Sequence, residues 1–338
     1  MSSDSAQHEA AWRQILALIE EADTIAISGH TGPDGDALGS GLGLGLALRH
    51  RYPNKDITCL LADVAPVPRV YRFMVGADEM VPAKSYAKDP DLFISVDVPT
   101  VARLNDSAAV MERSRHVATI DHHPARGEFA EVVVREISAA ATAVLIDEFL
   151  AYAHIEMPPA VASCLLTGLV TDTGRFQYQN ANPEAFECAA RLVNAGAEPS
   201  RIALEVYQNQ RLAYLQLESI VMGRIQTTAG GLVAYSYAFA RDLATCGVGA
   251  DECDGLVDVV RSVQGTEVCL FLRETDPVAG TIRGNLRSKG MLDVSTIASE
   301  FGGGGHAAAA GFTYTGTIDA ALHDLIPRLT QLVGQTVA

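Results

Sequence analysis

The stretch from Thr24 to Gly45, TIAISGHTGPDGDALGSGLGLG, constrains this chain more than any other, because it runs a short β-branched segment straight into a knot of metal-seeking side chains. Thr24 to Ser28 reads as a strand that Gly29 ends. His30, Asp34 and Asp36 follow in the spacing H-x-x-x-D-x-D, on a loop bent by Gly32, Pro33 and Gly35. An imidazole and two carboxylates on one turn can converge on divalent cations, and that donor mixture suits manganese, or another hard-to-borderline metal, better than structural zinc. The same residues also admit a plainer role, with Asp34 and Asp36 as turn and cap residues, Asp36 capping a helix that begins near Ala37, and His30 merely exposed.

The glycines that follow, Gly39, Gly41, Gly43 and Gly45, do not make a dinucleotide fingerprint. They alternate strictly and lie beyond the acidic loop, whereas that fingerprint needs G-x-G-x-x-G in the turn directly after the strand. Inside a helix, they let it lie close against a sheet or another helix.

Further strand-like runs also end in acids or imidazoles. DLFISVDV, from Asp91 to Val98, delivers Asp97, and HVATIDHH, from His116 to His123, delivers Asp121, His122 and His123. Ile57 to Ala62 and Val132 to Val134 are additional strands. Strands that share this habit belong to an open, mostly parallel α/β sheet, whose ligands gather beyond the carboxyl ends of the strands. Helices are expected over His8 to Ala22, the glycine run to about His50, Ala139 to Ala153, and Pro158 to Val170, the last closing on TDTGRF with Asp172. Another helix is capped by Asn182, begins at Pro183 and stops at Gly196.

With 338 residues, two domains are expected: 1–197, a helical linker over 198–223, and 224–338 as a smaller α/β domain. In the second, strands at Leu232 to Tyr237, Glu267 to Arg273 and Gly280 to Leu286 alternate with helices near Asp251 to Val263, Asp293 to Phe301 and Ile318 to Val333. No apolar run reaches a membrane span and the first ten residues lack the regions of a signal peptide, so a cytoplasmic protein without a membrane partner is expected. The six cysteines form no C-x-x-C pair and read as buried thiols. With 41 acidic against 25 basic residues, the charge of −16 argues against gripping long nucleic acid.

Taken in order, H-x-x-x-D-x-D, then D-x-P at Asp97, then DHH followed by Pro124, then TDTG resemble the DHH phosphoesterase superfamily, and GGGGHAAAAGF, from Gly302 to Phe312, resembles the DHHA1 domain that accompanies it. Within that family the chain looks most like the bacterial NrnA group of bifunctional oligoribonucleases and 3′-phosphoadenosine 5′-phosphate phosphatases. The resemblance implies a site in the cleft between the domains and two Mn²⁺ ions, with Mg²⁺ or Co²⁺ as substitutes. His30, Asp34 and Asp97 would bind one ion, and Asp36, Asp97, His122 and Asp172 the other. His123 would face the substrate, Asp121 would orient a neighbouring imidazole, and Arg103 would reach the scissile phosphate.

In the second half, Gly302, Gly303, Gly304 and Gly305 would offer backbone amides to a phosphate beside His306. Arg283, Arg287 and Ser288 of RGNLRS would clamp the same phosphate. The expected substrates are short RNA or nucleotides: dinucleotides such as pApA, cyclic di-AMP, and the 3′-phosphate of 3′-phosphoadenosine 5′-phosphate. A homodimer is compatible with this reading. A pyrophosphatase or polyphosphatase is the enzymatic alternative. A nucleotide sensor without catalysis is the other, and it would be expected to have lost metal ligands that this chain keeps.

Overall fold

The computed structural model describes residues 3–125 and 127–334. Its contacts divide the chain into two compact units, Met1–Asn209 and Gln210–Ala338. In the first, β1 (Thr24–Ser28), β2 (Asp56–Leu61), β3 (Val81–Pro82), β4 (Leu92–Val96), β5 (His116–Asp121) and β6 (Val132–Arg135) form a parallel sheet in the order β3-β2-β1-β4-β5-β6. The order reverses between β1 and β4, and at such a switch point the connections leave in opposite directions and open a crevice at the carboxyl ends. His30 follows β1 and Asp97 follows β4, so the switch point delivers both to that crevice.

Helices α1 (Ser3–Glu21), α2 (Gly35–Arg51), α3 (Ser107–Glu112), α4 (Thr142–Tyr152), α5 (Pro159–Asp172) and α6 (Pro183–Asn194) complete this unit. The α2 helix is buried along almost its whole length, from Gly35 to Leu48, because it lies between the sheet and α5. Its glycines make that possible. A Cβ on Gly39 would run into the carbonyl oxygen of Cys164, so α2 meets α5 backbone to backbone there, and one on Gly43 would lie 2.6 Å from Leu165 Cδ2. Gly41 and Gly45 point the other way, toward Ile27 of β1. The expected close approach is therefore present. Asn182 caps α6 by accepting from the Ala185 amide at 2.9 Å, with Pro183 in the first turn and Gly196 left-handed just beyond the end.

In the second unit, β7 (Gln226–Thr228), β8 (Val233–Ala238), β9 (Val268–Asp276), β10 (Thr281–Ser288), β11 (Gly304–His306) and β12 (Ala309–Thr315) form a mixed sheet, β11-β12-β10-β9-β8-β7, in which only the β8–β9 pair is parallel among the described residues. The helix Ile318–Gly334 packs Leu325, Leu329 and Val333 on one face, with Leu270, Ile282 and Leu286 of the sheet. The other face carries Cys269 and Phe271 against Tyr214, Leu217, Leu256 and Val260.

Several expectations need correcting. The linker is not one helix: it runs as Pro199–Ala203, a wider turn over Leu204–Gln208, and Leu212–Gly223. Arg211, just ahead of the last piece, is drawn to Glu252 at 2.5 Å and to the Gly247 carbonyl at 2.9 Å. The helix expected over Asp251 to Val263 shrinks to Leu256–Arg261 behind a single turn at Ala250–Glu252. Strands β3, β7, β11 and β12 went unread, since β12 opens on Ala-Ala-Gly and lacks the β-branched run that signals a strand. The cysteines are free thiols, all buried but Cys246. Among the described residues no helix is long and apolar enough to cross a membrane.

The two kinds of helical glycine predict opposite responses. Gly39→Ala pushes against a backbone carbonyl that cannot rotate away, and should cost about 1–3 kcal/mol in urea unfolding. At Gly41 the nearest atom to an added Cβ is Val96 Cγ2 at 3.6 Å, an ordinary contact. Gly41→Ala should then be neutral or stabilising by up to about 1 kcal/mol through helix propensity. Equal losses in the two variants would mean that the helix approach is not what the glycines serve.

Candidate metal centre

The acids and imidazoles at the carboxyl ends of β1, β4 and β5 meet those at the start of α2 and the end of α5. Donor atoms of His30, Asp34 and Asp97 lie within 4.8 Å of one another, as do those of Asp36, His122 and Asp172, and those of Asp97, Asp121 and His123. His30 Nε2 stands 3.5 Å from Asp97 and 3.7 Å from Asp34. His122 Nε2 stands 3.5, 3.6 and 3.8 Å from Asp97, Asp172 and Asp36. Asp36, Asp97 and His122 are at most 2% exposed, whereas Asp34 is open to solvent on one side.

Each candidate ligand is held from behind. Asp34 is the residue that caps α2, its Oδ1 accepting from the Asp36 and Ala37 amides at 3.0 and 3.1 Å. Asp36 does not cap that helix, contrary to the plainer reading. Its carboxylate instead accepts from the Thr142 and Ala143 amides at 2.6 and 3.0 Å and from Ser40 Oγ at 3.0 Å, so it caps α4 from 106 residues away. This is why α4 begins at Thr142 rather than at Ala139. Thr142 Oγ1 donates to Asp97 Oδ1 at 2.9 Å, and Asp97 itself adopts a left-handed backbone, with φ of 62°. Asn180 Nδ2 donates to the Asp172 carbonyl at 3.1 Å and to the Ala140 carbonyl at 2.9 Å.

The imidazoles are oriented in the manner of metal ligands, which anchor one ring nitrogen and turn the other to the ion. His122 Nδ1 faces the Ala139 carbonyl at 3.0 Å, and His30 Nδ1 faces the Thr31 carbonyl at 2.9 Å, leaving both Nε2 atoms toward the carboxylates. Arg103 Nη2 lies 3.0 Å from the same His30 Nδ1 and can donate to it only in the opposite tautomer, so the two contacts compete. His123 Nδ1 is 2.9 Å from Asp121, which is fully buried and is gripped on its other oxygen by Arg135.

So much negative charge in a largely buried place perturbs His30, His122, Asp36, Asp97 and Asp172. Burial alone would lower His30, but hydrogen bonds to Asp34 and Asp97 raise it to about 10. His122 likewise rises to about 9, against burial, through Asp172, Asp97 and Asp36. Burial and the Asp97 charge push Asp36 well above the usual carboxylate range, and burial pushes Asp172 up to about 6. Burial opposes the charge on Asp97 too, yet His123, His30 and His122 hold its carboxyl well below that range. Protons on imidazoles are here standing in for cations. Convergent buried donors, anchored rings and uncompensated carboxylates fit divalent metal ions.

Sequence reasoning passed over several supports of this site. Asp63, just past β2, accepts from Thr31 Oγ1 at 2.7 Å, the Gly32 amide at 2.6 Å and Asn105 at 2.8 Å, and so fixes the loop that carries His30 and Asp34. Its signal was available, since it is another acid just past a strand. Arg135 and Thr142 gave none.

In the second unit, Arg283 and Arg287 point from β10 to one face of the sheet, as do Gly304 and His306, paired through Gly311 and Ala309 of β12. Ser288 does not join them. It lies on the opposite face, 3% exposed, with its hydroxyl donating to Gly290. Gly302 is left-handed, and Gly303 and Gly305 sit where a Cβ would collide with the Gly311 and Ala309 carbonyls, so close strand packing also demands glycine there.

Models of known families match both units: the DHH family, N-terminal domain, over residues 24–169, and the DHHA1 domain over residues 233–336. The chain is 30% identical over 304 residues to the bifunctional oligoribonuclease and PAP phosphatase NrnA of Thermus thermophilus, covering 90% of this chain and 87% of that protein. It is 28% identical over 306 residues to the Bacillus subtilis protein of the same name, covering 88% and 91%. Among solved structures, an exopolyphosphatase-related protein from Bacteroides fragilis shares the fold with a TM-score of 0.86 at 24% identity, covering 95% and 96% of the two chains.

The raised imidazoles give a test of the metal assignment. Between pH 6.5 and about 9 the folded chain keeps protons on His30 and His122 that the unfolded chain has lost, so stability must fall as pH rises through this window. Chelated protein should therefore melt lower at pH 9 than at pH 6.5, and added Mn²⁺ should restore the loss and release protons on binding. Calorimetry in buffers of different ionisation enthalpy measures both. A chelated profile that stays level across the window, or metal uptake without proton release, would count against the site.

Proposed function

The chain belongs to the DHH family and carries a DHHA1 domain, and from that premise we propose that it is a Mn²⁺-dependent phosphoesterase of short oligoribonucleotides and nucleotides. Its substrates in this reading are dinucleotides such as pApA, the 3′-phosphate of 3′-phosphoadenosine 5′-phosphate, and cyclic di-AMP. The observation that carries the reading is the convergence of His30, Asp34, Asp36, Asp97, His122 and Asp172 at one end of the sheet, with all but Asp34 and Asp172 buried.

His30, Asp34 and Asp97 would hold one ion and Asp36, Asp97, His122 and Asp172 a second. Such a pair would supply Lewis-acid activation of water and charge neutralisation at a phosphoryl group. The protein's own part is positional. Asp97 belongs to both groups, and its hydrogen bond from Thr142 restrains the carboxylate they share. His123 has Nδ1 committed to Asp121, so a proton given to the leaving oxygen comes from Nε2. Arg135 holds Asp121 in place for that role. Arg103 lies against His30, and we assign it to the entering phosphate. Arg283, Arg287 and His306, at the run Gly302 to Gly305, are assigned to a second phosphate of the substrate, where guanidinium forks suit an anion; the Gly302 and Gly303 amides do not take the part expected of them, since they donate to the Ser299 and Ala298 carbonyls at 3.1 and 2.9 Å.

Product release from pApA, cyclic di-AMP, 3′-phosphoadenosine 5′-phosphate and pyrophosphate, each with Mn²⁺ and with Mg²⁺, tests the proposal. The nucleotides should be cleaved faster than pyrophosphate, and the reverse order would select the pyrophosphatase alternative. Asp97→Ala should lower kcat by about three orders of magnitude or more, since it serves both metal groups. Arg287→Ala should chiefly raise KM, because it touches anchoring more than chemistry. Retained turnover in the Asp97 variant would defeat the mechanism.

A further inference from the structure

We propose that Asn285 sets substrate specificity by accepting, through its side-chain amide, a hydrogen bond from the nucleoside that adjoins the arginine-bound phosphate. This rests on the phosphoesterase reading above.

Asn285 lies in the middle of β10, itself between β9 and β12, and is 8% exposed. Its Oδ1 is buried and meets no hydrogen-bond donor among the described residues. An orphaned carbonyl of this kind is destabilising, a cost that an apolar side chain of the same size would avoid. Native interiors rarely leave such a group unmatched, so an external donor is the direct explanation.

The neighbours say where that donor comes from. Alternation along β10 puts Arg283, Asn285 and Arg287 on one face, and their partners on β12 are Thr313, Gly311 and Ala309. A Cβ on Gly311 would lie 3.1 Å from Arg283 Nη2, so the guanidinium lies over the very residue paired with Asn285. Arg287 has a buried Nε that also meets no hydrogen-bond partner in the described protein. The face therefore sets a cation, a neutral acceptor and a cation in a row, flanked by Thr313, Gly311 and Ala309 on β12 and by Arg273, Phe271 and Cys269 on β9.

A phosphate ionised at neutral pH can satisfy the guanidiniums, but it has only acceptors and cannot satisfy Oδ1. The partner must be a donor on the part of the ligand beyond the phosphate. An adenine nucleotide has two kinds: ribose hydroxyls and the exocyclic amine of the base.

Three substrates separate these sources: pApA, its 2′-deoxyribose counterpart, and its counterpart with purine bases lacking the 6-amine. The Mn²⁺-loaded wild type should favour pApA over one of the two analogues by about tenfold in kcat/KM, and Asn285→Leu should bring that ratio to about one. The ligand-free variant should melt no lower than wild type, because no internal hydrogen bond is lost. Equal loss on all three substrates with a lowered Tm would make Asn285 structural and overturn the inference, as would a wild-type ratio of one for both analogues. Failure of the wild type to cleave any of them would instead overturn the phosphoesterase reading. Calorimetric titration of adenosine 5′-monophosphate then decides for Asn285 alone: about tenfold weaker binding by Asn285→Leu supports the role, and equal affinity overturns it.

Discussion

Mutual repulsion among the carboxylates of Asp36, Asp97 and Asp172, crowded around one imidazole in a largely dry pocket, is the interaction on which the first unit is built. Removing carboxylates from water is costly unless each is paired or hydrogen-bonded. The fold answers partly with neutral donors, giving Asp36 the first amides of α4 and Asp97 a threonine hydroxyl. The remainder must be met by positive charge, from protonated imidazoles or from metal ions. Site and fold are thus the same object here, since the helix that starts at Thr142 starts where it does because the buried carboxylate of Asp36 accepts its amides.

The glycines of α2 translate packing into that geometry. Asp36 opens α2 and Asp172 closes α5, so the distance between these acids is set by how closely the two helices approach at that end. A Cβ on Gly168 of α5 would come within 2.7 Å of Asp36 Oδ1, and one on Gly35 would strike the Thr171 side chain. Larger residues would wedge the helices apart where the carboxylates must converge. Glycine is a poor helix former, by about 1 kcal/mol against alanine, so the run is retained for proximity and not for local stability.

How much of this was legible follows from the range of each signal. Acids and imidazoles closing β-branched runs could be read, because strand and ligand are adjacent in the chain, and His30, Asp97, Asp121, His122 and His123 all stand where those runs placed them. Asp172 was legible as the end of an apolar helix. Arg135, Thr142 and Asn285 were not, because their meaning lies in what surrounds them: a guanidinium on a neighbouring strand's acid, a hydroxyl on a carboxylate 45 residues away, an amide oxygen that meets no donor among the described residues. The glycine run of α2 shows the opposite error a motif invites. It is no dinucleotide fingerprint, yet the sheet has the strand order of dinucleotide-binding folds, so topology was carried by the pattern of strands and the glycines served a different end. Ser288 was misplaced for the simplest reason, that one step along a strand reverses the face.

Backbone strain marks which of these demands wins. Asp97 holds φ at 62°, and Gly174, Arg175 and Phe176, which follow Asp172 and Thr173, hold 53°, 63° and 60°. A left-handed backbone costs non-glycine residues of order 1–3 kcal/mol and persists only where the surroundings over-determine it. At Asp97 they do: its amide donates to the Ile120 carbonyl at 3.0 Å and its carboxylate is held by Thr142, so a relaxed backbone would lose both. After Asp172, Thr173 plays that part, its hydroxyl accepting from the Phe176 amide at 3.1 Å and its carbonyl from the Gln177 and Tyr178 amides at 3.0 Å. Glycine at Asp97 would relieve the strain and lose the carboxylate that both proposed ion sites share. The chain keeps the strained residue at its most crowded ligand, which is the choice expected of a structure whose stability has been traded for a charged pocket of fixed shape.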